Sequence, residues 1–398
     1  MSPSRSASRS LSRPSLHSRQ ASRSTEHSSM SERKASFGCA DYRSATLEPN
    51  NIIVEDQQMD DDRWSRLAFA LGMPFGESLR ASSATTKFAQ QIRSQRSVTS
   101  REMAEMLVPL LASIAIDHNA LKCRTDAAFC RDAVPDEVHD AEIEDGWKMQ
   151  LPTPKPAITL GYSNSSFTCQ QLELQQYIIT NNKNEPCDLH QLSQPVPDIY
   201  WPFFVVEVEE HSMLAARNAC AGSAATCNNA LMILAAAAQE PQRHYQDADF
   251  LWKLSKAAQS FSLAINGKTA CLNTHNSEGH LPHGVATIRS YRLDDEREVE
   301  ALAARIRSIF VWAENSRLRS ICDLLNTFDR KVQMERNLTV VIPPARPGST
   351  DSARSGGQRR RRRSIIRAVL TGQSSRMGER LSCQRQRFEL RFFGSGVR

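Results

Sequence analysis

The sequence lacks the patterns that identify several large classes of protein. It contains no run of about 18 consecutive apolar residues, so no membrane-spanning helix is expected. The N-terminus has no apolar middle segment of the kind that a secretory signal needs. The phosphate-binding patterns GxxxxGK(S/T) and GxGxxG are absent, and so is the GxSxG nucleophile elbow. These absences favour a cytosolic or nuclear protein without a membrane partner.

The ten cysteines follow no metal-binding or disulfide pattern. They are scattered along the 398 residues, and no two of them form a CxxC pair. This spacing argues against a zinc ribbon and against a secreted disulfide scaffold. Reduced, mostly buried thiols are therefore predicted.

The formal net charge of +6 is unevenly distributed along the chain. Residues 1–37 carry +5 and residues 338–398 carry +11, so the middle of the chain, 38–337, carries −10. An acidic body repels a polyanion, so nucleic acid is expected to bind mainly through the basic tails.

A run of five arginines lies in the C-terminal tail. Its members are Arg359, Arg360, Arg361, Arg362 and Arg363. Such a run is typical of nuclear import signals, so an import receptor is the expected partner and the nucleus the expected location. Direct binding of phosphates is the second interpretation of the same run.

Composition divides the chain into three regions. Residues 1–37 are rich in Ser and Arg and have too few apolar residues to offset the entropy of ordering, so they are predicted to be a disordered tail. Residues 338–398 form a basic, Arg-rich tail that is predicted to be mostly disordered. The globular domain is expected between them, at about 95–335.

Local patterns in the globular region predict a mixed α/β domain with one sheet. Thr99 and Glu102 form a capping box that begins a helix, and Asn266-Gly267 predicts a tight β-hairpin. Two helices are expected to close the domain, at about 295–314 and 316–335, with Ser316 as the N-cap of the second.

The most informative segment is the predicted strand that ends at Glu207 and Glu209. An apolar run from Trp201 leads into these two acids. Side chains alternate along a strand, so both carboxylates lie on the same side. Two acids at the end of a buried strand are costly unless something binds them, and a divalent cation is the usual ligand.

Three blocks of sequence resemble a fungal family of uncharacterised proteins with a restriction-endonuclease-like, PD-(D/E)xK core. They are residues 154–168, 203–229 and 261–267, and the later pair Arg317-Leu318 also fits. The resemblance implies a mixed sheet flanked by helices, together with a Mg²⁺-dependent nuclease site. In that site two carboxylates hold Mg²⁺, which activates a water, and a Lys assists.

This sequence departs from the family pattern at three positions. The family often has Asp where Ala157 stands, Lys where Glu209 stands and Gln where Ala219 stands, whereas Glu207 is retained. The preferred interpretation is a nuclease-derived nuclear protein with a degenerate, catalytically impaired site that acts in nucleic-acid or protein binding.

Three other interpretations stay open on the sequence alone. In the first, Asp198 joins Glu207 and Glu209 in a rewired three-carboxylate Mg²⁺ site, and the protein is an active endonuclease. In the second, the Ser/Arg tails recruit RNA or splicing partners and the folded domain is a spacer. In the third, the acids simply emerge into solvent.

A group of histidines lies beyond the predicted hairpin. His275, His280 and His283 fall close together, but no Cys or acid pattern completes a metal site. A solvated loop is the favoured interpretation of this segment.

Overall fold

The computed structural model describes most of the chain between residues 36 and 339. The described ranges are 36–74, 83–115, 118–135, 150–181, 185–210, 212–239, 254–277 and 283–339. Apart from residues 36, 37, 338 and 339, the predicted disordered tails lie outside these ranges, as do all five arginines of the 359–363 run.

Nine strands form two sheets in the described part of the chain. They are β1 (Ile52–Gln58), β2 (Leu121–Thr125), β3 (Ile158–Tyr162), β4 (Ile178–Thr180), β5 (Pro186–Asp188), β6 (Tyr200–Val208), β7 (Gln259–Asn266), β8 (Thr269–Asn276) and β9 (His283–Arg292). The main sheet has the order β1-β9-β8-β7-β6-β3-β2, and β4 pairs with β5 in a small ribbon. The pairs β1–β9 and β6–β7 are parallel and the other neighbours are antiparallel.

Helices cover both faces of the main sheet. They are α1 (Asp61–Leu71), α2 (Ser83–Ser94), α3 (Ser100–Ile114), α4 (Cys169–Leu174), α5 (Leu189–Ser193), α6 (Met213–Ala238), α7 (Glu296–Trp312) and α8 (Leu318–Thr339). Helix α6 packs on one face, against β6 and β7. Helices α3 and α7 lie on the other face, with the largest apolar cluster between them and the sheet.

This architecture confirms the predicted fold class, a mixed α/β sheet flanked by helices. Several local predictions are also confirmed. Thr99 and Glu102 form a reciprocal capping box at the start of α3, and the helix continues through Pro109. The hairpin predicted at Asn266-Gly267 joins β7 to β8, but its two turn residues are Gly267 and Lys268, because Asn266 still pairs with Thr269. Gly267 has a positive φ of 54° at the first turn position.

One local prediction was wrong. Ser316 is not an N-cap, because a π-helical turn, Ala313–Arg317, joins α7 directly to α8. Asp295 is the cap of α7, accepting a hydrogen bond from the Arg297 N–H. Strand β1 pairs in parallel with β9 and forms one edge of the main sheet.

Helix α6 is the one helix of the described residues that is long and apolar enough to cross a bilayer. Its most apolar window is 83% buried inside the protein. Packing against the sheet therefore accounts for its composition. The many alanines also allow a close approach, since the helix places little side-chain bulk between itself and the strands.

The start of β6 is irregular. Leu160 pairs with Phe204 but Tyr162 pairs with Tyr200, so a two-residue step on β3 faces a four-residue step on β6. Pro202 lies in this bulge, where its missing N–H costs no regular ladder bond. Gly161 opposite has no room for a side chain, since a Cβ there would lie 2.7 Å from the Tyr200 carbonyl oxygen.

A fully buried arginine completes the hydrogen bonding of this irregular region. The Arg317 guanidinium donates to the carbonyl oxygens of Trp201 (2.9 Å) and Pro202 (3.1 Å) in the bulge. It also donates to those of Ala257 (3.1 Å) and Gln259 (3.3 Å) at the start of β7. Arg317 thus ties the beginnings of two neighbouring parallel strands to the π-helical turn.

Aromatic rings surround the same guanidinium. Its carbon lies 5.6 Å from the ring centroids of both Tyr162 and Phe203. A buried cation is stable only when its hydrogen bonds are satisfied, and here carbonyl dipoles and ring faces provide that environment.

We expect Arg317→Ala to lower the free energy of unfolding by roughly 3–5 kcal/mol, because several buried carbonyl groups lose their donor at once. Arg317→Lys should give an intermediate loss, since one ammonium cannot reach all four carbonyls. Urea unfolding followed by circular dichroism measures both.

The control for this experiment is Arg319→Ala, because Arg319 is exposed two residues away. This change should alter the free energy of unfolding by less than about 0.5 kcal/mol. Equal losses in Arg317→Ala and Arg319→Ala would contradict the role assigned to the buried guanidinium.

Candidate functional site

Glu207 lies one residue before the end of β6, in the middle of the sheet. Its neighbour on β7 is Ala264, in parallel register. The alternation of the strand directs Val205 and Glu207 towards α6, whereas Val206 faces the large apolar cluster on the other side. The carboxylate therefore lies between the sheet and α6, and the residue is half-buried.

A hydrogen bond from α6 holds the Glu207 side chain. The Ser223 hydroxyl donates to Oε1 at 2.5 Å. Burial raises the pKa of Glu207 to about 7, against the opposing effect of the Ser223 bond, and the charge of Glu209 adds to the rise. At neutral pH this group is consequently divided between its acid and its carboxylate form.

Small and apolar side chains form the rest of the surroundings. Ala216 and Cys220 of α6 cluster with Ala264 and Cys271 of the sheet. Burial, followed by the charge of Glu207, raises the pKa of the Cys220 thiol far above its usual range. This thiol is therefore a packing residue. The prediction of mostly buried cysteines was wrong, because only four of the nine described cysteines are buried, although all nine are free thiols.

Ala157 lies immediately before β3, in a bend. The last β3–β6 pair at this end is Ile158 with Val206, so Ala157 is one step beyond the paired residues, at the level of Glu207. Its methyl group packs against the large apolar cluster that Val206 also faces.

Glu209 lies just beyond the strand and is fixed through its backbone. Its N–H donates to the Ile265 carbonyl at 3.0 Å, and its carbonyl accepts from Asn266 Nδ2 at 2.9 Å. The hairpin thus holds Glu209 at the same end of the sheet as Glu207. The structure brings these two predicted site residues together.

Asp198 does not belong to this site. It precedes β6, at the opposite end of the strand from Glu207, with a positive φ of 64°. The side chain is 64% exposed and pairs with Arg124 at 3.3 Å. Because of the bulge, the stretch of β6 from Tyr200 to Glu207 spans about five residue steps of roughly 3.3 Å, or ~16 Å, and Asp198 precedes it. The rewired site of Asp198, Glu207 and Glu209 is therefore not formed.

The resulting site offers few metal ligands. Within the described ranges, no three side chains of the types His, Cys, Asp and Glu lie close enough together to hold an ion. Glu207 and Glu209 provide two carboxylates, one of which takes up a proton near pH 7. Mg²⁺ prefers charged or neutral oxygen ligands in octahedral geometry, so this pair alone is a weak cage.

The sequence did not predict that the face of the sheet towards α6 is polar. Ser260 and Ser262 alternate along β7 and both face α6, where Ser260 donates to the Ala224 carbonyl at 3.1 Å. Asn273 of β8 donates to Ser262 at 3.2 Å. The alternating serines of a buried strand were the available signal for this layer.

The histidine segment also differs from its prediction. His275 is only 1% exposed and lies in β8, and His283 begins β9, so neither belongs to a solvated loop. His280 lies outside the described residues.

Comparison with known proteins identifies one family. The model of the family described as Domain of unknown function (DUF7924) matches residues 85–325, more than half of the chain. The matched range runs from α2 into α8 and includes Ala157, Glu207 and Arg317. No curated protein matches the sequence.

The raised pKa of Glu207 predicts a pH-dependent effect of Glu207→Gln. The pKa of about 7 in the folded state lies above the 4.5 of an ordinary Glu, so ionisation destabilises the fold as pH rises from 4.5 through 7. At pH 8 the glutamine variant should be more stable than the parent by roughly 1–3 kcal/mol. The difference should shrink steadily towards pH 4.5.

Unfolding by urea at several pH values measures this difference. Glu173→Gln is the matched control, because Glu173 is exposed on α4. A stability difference between Glu207→Gln and the parent that stays constant from pH 4.5 to 8 would contradict the desolvated carboxylate.

Proposed function

We propose that this chain, which belongs to the DUF7924 family, is a nuclease-derived nuclear protein whose degenerate PD-(D/E)xK site does not cut nucleic acid. In this proposal the folded domain serves as a scaffold in nucleic-acid or protein binding, and the basic tails provide the contacts with phosphate and with the import receptor.

The observation that carries the proposal is that Ala157, one step beyond the last β3–β6 pair and so at the level of Glu207, has only a methyl group. Magnesium-dependent cleavage needs at least two well-placed carboxylates to hold the ion and to lower the pKa of its water. The resemblance assigns one of them to position 157, where this chain has no oxygen to offer. The mixed sheet between helices is the architecture that the resemblance implies, and it supports the same descent.

Glu209 supports the proposal in a second way. A Lys at this position would add positive charge and help to position the attacking water. The carboxylate of Glu209 instead adds negative charge beside Glu207, which contributes to the raised pKa of Glu207. Protonation of Glu207 near neutral pH weakens it further as a metal ligand.

The charge distribution favours the tails as the binding elements. The body, residues 38–337, carries −10, and residues 338–398 carry +11. Binding of this kind depends on phosphate contacts rather than on base sequence, so it falls steeply as salt is added.

Restoring the missing groups tests the proposal directly. The double variant Ala157→Asp/Glu209→Lys should bind Mn²⁺ or Mg²⁺ at least tenfold more tightly than the parent, measured by calorimetry. It should also gain Mg²⁺-dependent nicking of plasmid DNA or cleavage of RNA.

The control adds Glu207→Ala to the double variant and should remove both gains, because the retained acid is the second metal ligand. Cleavage by the unmodified chain that Glu207→Ala abolishes would overturn the proposal of an inactive site.

The arginine run gives a second prediction. Replacing Arg359–Arg363 by glutamine should abolish nuclear accumulation of a fluorescent fusion, because the import receptor loses its cationic ligand. The matched control removes five dispersed charges from the same tail. These are Arg376, Arg380, Arg385, Arg387 and Arg391.

The control fusion should still accumulate in the nucleus, since its arginine run is intact. Unchanged accumulation after loss of the run would refute its assignment as the import signal.

A further inference from the structure

Two histidines lie on one face of the β8–β9 pair, beneath helix α6. His275 is paired with Val285 and Asn276 with Gly284, so His283 lies diagonally across from His275. Diagonal neighbours in antiparallel strands have Cα atoms about 7–8 Å apart, and their Cβ atoms are somewhat closer. Two imidazoles at this spacing can reach a common point.

A serine fixes one nitrogen of each imidazole. His275 Nε2 is hydrogen-bonded to Ser262 Oγ at 2.7 Å, and His283 Nδ1 is hydrogen-bonded to Ser277 Oγ. His275 Nδ1 is buried with no partner. His283 Nε2 takes part in no hydrogen bond among the described residues. An imidazole held through one nitrogen while the other is available is the arrangement that orients metal-binding histidines.

Helix α6 adds a third unsatisfied atom. Asn228 is fully buried and donates through Nδ2 to the His275 carbonyl at 3.1 Å. Its Oδ1 has no partner. Leaving a buried acceptor unpaired costs about 1–3 kcal/mol, so two such atoms on adjoining residues indicate a ligand between them.

We propose that His275 Nδ1, His283 Nε2 and Asn228 Oδ1 bind one Zn²⁺ ion between β8, β9 and α6. Two imidazole nitrogens select a borderline transition metal over Mg²⁺ or Ca²⁺, which prefer oxygen ligands. Water completes the coordination. The site is separate from Glu207 and does not rest on the proposed function.

Zinc binding to the full-length chain tests the inference. The protein is stripped with a chelator, kept reduced and titrated with Zn²⁺ in a calorimeter. His283→Gln should weaken binding at least tenfold, whereas His190→Gln, which alters an exposed histidine on α5, should leave the affinity unchanged. His283 is chosen because it is less buried than His275, so its variant is expected to fold.

Asn228→Asp provides an independent measurement. It replaces the amide oxygen by a charged ligand and should tighten Zn²⁺ binding at least tenfold. Co²⁺ in place of Zn²⁺ should give visible d–d bands without thiolate charge transfer, because nitrogen and oxygen are the ligands.

Two results would overturn the inference. One is equal Zn²⁺ affinity in His283→Gln and His190→Gln. The other is a Co²⁺ spectrum dominated by thiolate charge transfer, which would assign the ion to cysteines. If a buried water rather than an ion bridges His275 and Asn228, Zn²⁺ affinity will not depend on His283.

Discussion

The buried guanidinium of Arg317 is the contact on which the central strands depend. The bulge at Pro202 leaves carbonyl groups of β6 pointing away from the regular ladder, and Arg317 donates to two of them and to two at the start of β7. Because β6 and β7 are parallel, fixing both beginnings also fixes their register. That register places Ala264 beside Glu207 near the far end of β6, so the geometry of the candidate site depends on contacts made at the beginning of the strand.

The two faces of the main sheet differ in the kind of side chains that they bury. The face towards α3 and α7 is apolar, and its aromatic side chains pack edge to face, as Phe204 does with Phe310 at a centroid distance of 6.0 Å. The face towards α6 contains hydroxyl, amide and imidazole groups, and most of them are paired with each other or with backbone. A buried polar layer of this kind is stable only while its partners stay in place, so α6 must keep one fixed position on the sheet. Small residues along α6 permit that close contact.

The sequence correctly predicted those structural elements that depend only on residues near each other in the chain. The capping box at Thr99, the hairpin between β7 and β8 and the apolar run into Glu207 each depend on neighbouring residues, and each is found, with the hairpin turn shifted by one residue to Gly267-Lys268. Ser316 failed as a cap because the continuous packing of α7 and α8 favours a π-helical turn over a break in the helix. Asp198 failed as a ligand because nearness in sequence along an extended strand means distance in space. The burial of His275 depends on α6 covering β8, which no pattern around His275 reveals.

The buried carboxylate of Glu207 lowers the stability of the fold, and its one hydrogen bond, from Ser223, offsets only part of that loss. Desolvation raises the pKa of Glu207 to about 7. Ionisation of this group therefore lowers the free energy of unfolding at and above neutral pH. One hydrogen bond from Ser223 offsets part of this, but a neutral side chain would satisfy the same hydroxyl. The carboxylate is thus not explained by the needs of the fold. It lies in a pocket of small alanine and cysteine side chains, none of which needs a charge beside it.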